Sequence, residues 1–160
     1  MTDEIAFTKV RLPYGWLGNM APFSVGAFGA EWRTTEALFQ AMRLPLDHPG
    51  REEIRNEKSP MGAKMKAKTF ASDFVVVPQS FDDCANMKLC LALKLTHNPQ
   101  LIEELRQTGR RMIIEDCTSR PHGSGLFWGA ARQPDGSWKG VNYLGCLWMT
   151  IRDEIQGTTE

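Results

Sequence analysis

Helical spacing of apolar and polar positions first appears at residues 34–43, in the order Thr-Thr-Glu-Ala-Leu-Phe-Gln-Ala-Met-Arg. With Thr34 as N-cap, Leu38, Phe39 and Met42 fall on one side, while Glu36, Gln40 and Arg43 project within about 60° of one another as a polar stripe. Upstream, residues 5–33 alternate turn residues with short apolar pieces such as Leu12-Pro13-Tyr14-Gly15-Trp16 and Val25-Gly26-Ala27-Phe28. They read as short strands and loops. Downstream, Pro45, Pro49 and Gly50 break the helix, 51–57 reads as a short helix of alternating charge, and Ser59-Pro60 opens another through about Phe70. Lys64 and Lys68 share one face of that helix. Ala85, Leu89, Ala92, Leu93 and Thr96 lie near helical spacing, widened by Met87, Leu91 and Leu95, and predict a core helix over 82–96. Asn98-Pro99 starts a helix over 99–107 that Gly109 is placed to end, and 112–115 reads as a short strand. Residues 116–139, rich in Gly, Pro and Ser around Leu126-Phe127-Trp128, read as a long functional loop. Asn142 is placed to cap a helix to about Ile155 with Leu144, Leu147, Trp148 and Ile151 inward, leaving 156–160 as a flexible tail.

Composition narrows the class. A chain of 160 residues, 42% hydrophobic and 24% charged, suits one domain with a substantial core. Lys plus Arg and Asp plus Glu number 19 each, so no broad field draws the chain onto a nucleic-acid backbone, although local contact with a nucleic acid stays open. The acidic start Met1-Thr2-Asp3-Glu4-Ile5 has no basic region or apolar run of a signal peptide, and no stretch approaches a membrane span. A cytoplasmic protein without membrane contact is the expectation; oligomeric state is not legible.

Cys84, Cys90, Cys117 and Cys146 are scattered without a Cys-x-x-Cys pair or a His at ligand spacing, and read as free, mostly buried thiols. His48, His97 and His122 are isolated and read as loop or surface residues, so no metal is expected. Nucleophile elbow, phosphate loop and dinucleotide fingerprint are all missing, and no cofactor is implied. Chemistry must come from a less generic set, and Glu36 leads it. A carboxylate in a first helical turn is held ionised by the dipole and free N–H groups, which suits it to positioning water or stabilising a cation rather than donating a proton. Spacing alone favours the plainer alternative, an ordinary helix-start Glu paired with Arg43 on a solvated surface.

Four segments change that balance: Trp16-Leu17-Gly18-Asn19-Met20-Ala21-Pro22; the Glu36 helix; Ser59-Pro60-Met61-Gly62-Ala63-Lys64; and Phe127-Trp128-Gly129 with Gly140-Val141-Asn142-Tyr143-Leu144-Gly145 and Met149-x-x-Arg152. In this order and spacing the chain resembles the NADAR superfamily, also called YbiA-like proteins, over about residues 7–155. The resemblance implies an α+β fold, a mostly helical single domain with a small β-sheet, that hydrolyses N-glycosidic bonds. Its implied substrates are phosphoribosylated aminopyrimidine intermediates of riboflavin synthesis, or ADP-ribosylated guanine in nucleic acid. Glu36 matches the family's functional Glu, and Trp16, Asn19, Trp32, Gln40, Ser59, Trp128, Gly129 and Asn142 match other motif positions.

The chemistry fits those residue types. Breaking a ribosyl C–N bond builds an oxocarbenium-like cation, which a fixed carboxylate stabilises while orienting water. Trp128, Trp16 or Phe127 would stack on a base or sugar, against a reading of Trp128 as a loop anchor. Trp32 reads mostly as core. Asn19 and Asn142 fit ribose hydroxyls or cap a turn or helix. Lys64 and Lys68 would receive phosphate or merely form a solvated face. Three departures stand out: Ala37 where the family usually has His, Arg43 where it has Lys, and Gly125 where it has Asp. A guanidinium cannot form the Schiff base proposed for that lysine. Lys64 therefore takes the role, or water attacks directly with Arg43 as a charge clamp, or activity is lost and the fold serves as an ADP-ribose or nucleotide-binding protein. Residues 133–137 look like an insertion.

Overall fold

The computed structural model describes residues 3–157. In chain order the elements are β1 (Glu4–Phe7), β2 (Val25–Ala27), β3 (Ala30–Trp32), α1 (Thr35–Ala41), α2 (Gly50–Asn56), α3 (Pro60–Lys68), α4 (Phe81–His97), α5 (Gln100–Gln107), β4 (Met112–Glu115), α6 (Gly125–Trp128), β5 (Ala131–Arg132), β6 (Trp138–Lys139) and α7 (Tyr143–Gly157). This is a mostly helical α+β arrangement. No helix among the described residues is long and apolar enough to cross a membrane. The expected tail starts later than position 156, because Gln156 and Gly157 still belong to α7. Residues 158–160, like Met1 and Thr2 of the acidic start, lie outside the described residues.

Backbone contacts divide the chain into two compact units. The first joins residues up to Gly18 with those from Gln100 onward. Its centre is β1 paired parallel with β4, from Glu4 opposite Met112 to Phe7 opposite Glu115. Ile5, Phe7, Ile113 and Ile114 are buried, and α7 lays Leu144, Leu147, Trp148 and Ile151 into the same core, as its spacing predicts. Trp148 Nε1 donates to the Leu17 carbonyl at 2.9 Å. The approach of α7 to β4 requires a glycine: a Cβ on Gly145 would lie 2.1 Å from the Ile113 carbonyl oxygen. Gly145→Ala is expected to destabilise this unit by about 1–3 kcal/mol or more, measured as a lower urea midpoint, because the clash is with backbone.

The segment 116–139 is less irregular than its composition predicts. It holds α6 and the β5–β6 hairpin, and residues 133–137 form the hairpin turn. Asp135 Oδ1 accepts from Ser137 N at 3.0 Å, and Gly136 takes a φ of 88°.

The second unit runs from Asn19 to Pro99. It opens with the β2–β3 hairpin, whose two turn residues, Phe28 and Gly29, both have positive φ, 55° and 72°. Its helix α1 packs against α2, α3, α4 and the hairpin, so every residue of α1 is buried. Thr34 caps it as expected, its Oγ1 accepting from Ala37 N at 3.2 Å, and Ser59 caps α3 in the same way through Gly62 N. The core face of α4 matches the expected one at Met87, Leu91 and Leu95 and differs elsewhere. Asp83, Cys84, Met87, Cys90, Leu91, Lys94 and Leu95 are buried, while Ala85, Leu89, Ala92 and Thr96 are exposed. Two charged residues, Asp83 and Lys94, belong to the interior face, and treating them as surface turns the helix the wrong way. Lys94 is wholly buried, lies over the Phe23 ring at 5.5 Å, and burial pushes its ammonium down to about 7. Beside it, the Cys90 thiol donates to Met42 Sδ at 3.6 Å, and burial pushes its ionisation well up.

Candidate active site

The first turn of α1 is tied down from several sides. Glu36 N and Thr35 Oγ1 both donate to the Asn19 carbonyl, at 3.1 and 3.2 Å. The Asn19 side chain is engaged as well, its Oδ1 accepting from Thr35 Oγ1 at 3.2 Å and its Nδ2 donating to Met87 Sδ at 3.0 Å. Asn19 thus anchors the backbone of Glu36. Thr35, fully buried, is a partner that spacing did not single out.

Along the stripe the side chains form one chain of hydrogen bonds. Gln40 Nε2 donates to Glu36 Oε1 at 2.9 Å, and Arg43 Nη1 donates to Gln40 Oε1 at 3.2 Å. Arg43 Nε and Nη2 grip the two oxygens of Asp83 at 2.9 and 2.8 Å. Asp83 is wholly buried and also accepts from Gln79 N at 2.8 Å. The guanidinium lies over the rings of Phe39 and Phe74, at 4.7 and 5.8 Å. Hence the cation that neighbours Glu36 on the helix pairs with Asp83, forty positions away, and not with Glu36.

Glu36 is only 8% exposed, which excludes the solvated surface pair. Its ionisation also departs from expectation. Desolvation by burial raises its pKa, and the Gln40 hydrogen bond and the charges of Lys64 and Arg43 lower it only in part, while Asp83 adds to the rise. The free N–H groups invoked at the helix start are not free: they go to Asn19 and Thr34. Burial therefore outweighs the dipole, and the carboxylate is a better proton acceptor than its helix position suggests.

Lys64, half-buried on α3, is the other cation acting on Glu36, whereas Lys68 is exposed. Ser59 is exposed; beyond capping α3, it lines an open hollow of about 440 Å³ with Glu53, Asn56, Glu57, Lys58 and Lys66. Trp32 is buried, its Nε1 donating to the Ala27 carbonyl at 3.0 Å, in keeping with a core role. Glu36, Arg43, Lys64, Asn19, Gln40 and Ser59 thus all lie in the second unit, as does Asp83, which the sequence left unmarked.

Trp16, Phe127, Trp128, Gly129 and Asn142 lie in the first unit. Trp16, half-buried, meets Trp148 edge-on at 5.8 Å. Phe127 stacks on Tyr143 at 5.4 Å, and Trp128 meets both rings edge-on. Gly129 has a steric reason to lack a side chain, since a Cβ there would lie 2.3 Å from the Glu115 carbonyl oxygen. Asn142 does not cap α7 in the expected manner. Its Nδ2 donates to the Ile113 carbonyl at 2.9 Å and its Oδ1 accepts from Glu115 N at 3.0 Å, so the amide completes the edge of β4. Its backbone takes a φ of 55°. Among the described residues no three His, Cys, Asp or Glu side chains gather as a metal site would require.

The chain is similar to known proteins along nearly its whole length. The model of the NADAR domain matches residues 6–156. The riboflavin biosynthesis protein PYRR, chloroplastic, of Zea mays is 29% identical over 98% of this chain, which spans only 26% of the maize protein. An N-glycosidase of Acanthamoeba polyphaga mimivirus is 39% identical over 40% of the chain and 39% of its own length. Among solved structures, the E. coli protein YbiA superposes with a TM-score of 0.79 at 29% identity, covering 99% of this chain and 89% of YbiA.

Proposed function

The chain belongs to the NADAR domain family, and we propose that it is an N-glycosidase that hydrolyses the C–N bond between ribose and a base in a phosphoribosylated or ADP-ribosylated substrate. The observation that carries this reading is Glu36: a buried carboxylate with raised proton affinity, held by Gln40 and acted on by the Lys64 charge, and matched by the family resemblance to a functional Glu. As the ribosyl C–N bond breaks, its electron pair leaves with the base nitrogen, and the anomeric carbon gains cationic character beside the Glu36 carboxylate. Water then adds to that carbon, Glu36 takes its proton as the new C–O bond forms, and that proton passes on to the departing base nitrogen, which regenerates the carboxylate.

Lys64 supplies positive charge for a phosphate or ribose oxygen. Arg43 does not act as a mobile clamp in this scheme, because all three of its guanidinium nitrogens already donate to Asp83 and Gln40. Direct water attack is therefore favoured over an imine, for which Lys64 would have to supply the amine. The balanced charge of the chain and the riboflavin name of the maize relative favour a phosphoribosylated aminopyrimidine over a nucleic-acid adduct.

The test is to incubate the protein with phosphoribosylated aminopyrimidines and, separately, with an oligonucleotide carrying ADP-ribosylated guanine, following released base by mass spectrometry. Release of the aminopyrimidine is expected, with no Lys64 adduct trapped by borohydride during turnover. No release from either substrate at high protein concentration overturns the reading. Calorimetric saturation by uncleaved ADP-ribose would then mark a nucleotide-binding protein of the same fold.

A further inference from the structure

We propose that Asp83 is a positioning residue for Glu36: by holding Arg43 in a two-point grip it fixes the Gln40 amide with its nitrogen toward the carboxylate. This inference rests on the reading of Glu36 as the working carboxylate. A guanidinium is planar and carries donors only, so once Nε and Nη2 sit on the two Asp83 oxygens the direction of Nη1 is set. The Gln40 atom that meets Nη1, at 3.2 Å, must then be oxygen. A carboxamide has oxygen at one end and NH₂ at the other, so the end that meets Glu36, at 2.9 Å, must donate.

Glu36 consequently always faces a donor, which is what an ionised carboxylate requires. With Arg43 released, the amide would be free to turn over and present its oxygen, stabilising the protonated acid instead. Asp83 is itself well anchored. Gln79 N donates to Oδ2 at 2.8 Å, and Asp83 N donates to Ser80 Oγ at 3.3 Å, both within the turn that starts α4. The arrangement also gives a reason for arginine at position 43. A lysine ammonium is a single rotatable point of charge and would satisfy Asp83 without fixing the direction of a third donor.

The charged groups acting on Glu36 are Lys64 from α3, Arg43 on its own helix and Asp83 from α4, and the neutral Cys90 thiol on α4 feels the Glu36 charge in turn. Arg43 and Asp83 act on Glu36 with opposite sign. Replacing both together therefore largely cancels their direct effect and isolates the one transmitted through Gln40.

The experiment is an NMR titration of the Glu36 side-chain carboxyl carbon in the intact chain, assigned with E36Q. R43M/D83L replaces the pair with apolar side chains, a change that buried ion pairs commonly tolerate. In this variant Glu36 is expected to titrate at higher pH than in the wild type, because the ionised form loses a committed donor. Q40M should show a shift in the same direction, and adding R43M/D83L to Q40M should move the titration no further. Should the double replacement not fold, R43K keeps the charge, loses the fork, and is expected to shift the titration the same way. The proposal is overturned if R43M/D83L, or R43K in its place, leaves Glu36 titrating as in the wild type. It is equally overturned if the full shift persists in the Q40M background, since the pair would then act by charge alone. Because the titration needs no substrate, a shifted Glu36 in a protein that releases no base rejects the glycosidase reading and keeps the positioning role.

Discussion

Glu36→Gln is expected to lower base release by about 10²–10⁴-fold, the range for loss of a positioned acid–base group, while leaving substrate binding intact by calorimetry. The same change is expected to make the protein more stable at neutral pH. Glutamine fills the same space and still accepts from Gln40 Nε2, so no cavity opens and no donor is orphaned. Wild-type Glu36, by contrast, has its pKa raised by burial above the ordinary glutamate value of 4.5. The folded state therefore binds this proton more tightly than the unfolded chain, and the group's contribution to stability falls as pH rises from about 4.5 through the folded-state pKa. E36Q removes that loss. Urea midpoints of the two proteins should coincide in acid below that ordinary value and separate in favour of the variant towards neutral pH. A Glu36 serving only as a structural partner would give the opposite order, with the glutamine variant weaker at neutral pH.

Asp83→Ala is expected to have the largest effect on stability, a loss of about 3–5 kcal/mol in urea unfolding, because it strands a guanidinium that is mostly hidden from water. The Arg43 side chain is 11% exposed and that of Asp83 is not exposed at all. The alanine would leave Nε and Nη2 of Arg43 without acceptors and open a void beneath Gln79 N. Salt should change this difference little, since the pair is shielded from mobile ions. Cutting one partner and replacing both are thus different experiments. D83A exposes the cost of an uncompensated charge, whereas R43M/D83L keeps the interior neutral and tests what the pair does for Glu36.

Local signals accounted for much of the second unit and left its interior chemistry unread. Thr34 and Ser59-Pro60 mark their helix starts because capping is decided within four residues. Leu144, Leu147, Trp148 and Ile151 face inward because nothing charged interrupts their spacing. On α4 the same spacing finds Met87, Leu91 and Leu95 but not the rest of the buried face. Nothing in the spacing marks Asp83 and Lys94 as buried, and the partner of Asp83 lies forty positions earlier in the chain. The stripe of Glu36, Gln40 and Arg43 was legible as a shared face, but its connection to Asp83 was not, since no spacing rule links α1 to α4. The β5–β6 hairpin was missed for a different reason: strands of two residues are too short for alternation to show, although Asp135-Gly136 carries a turn signal. Family resemblance picked out Glu36 and Gln40, which meet, and equally Asn142, whose amide serves the backbone of β4.

The sulfur contact between α4 and α1 has a practical side. Cys90 has no exposed surface, and its thiol resists ionisation through burial and the nearby Glu36 and Asp83 charges, so thiolate chemistry is closed to it in the folded protein. Cys146, on the outer side of α7, is exposed. A thiol reagent therefore meets Cys146 at once and the two buried thiols of α4, Cys84 and Cys90, only on opening, with the half-buried Cys117 between these extremes. Followed at Cys90 itself by peptide mapping, the slow reaction is a clock for the opening of the elements that hold Glu36, built in without any added label.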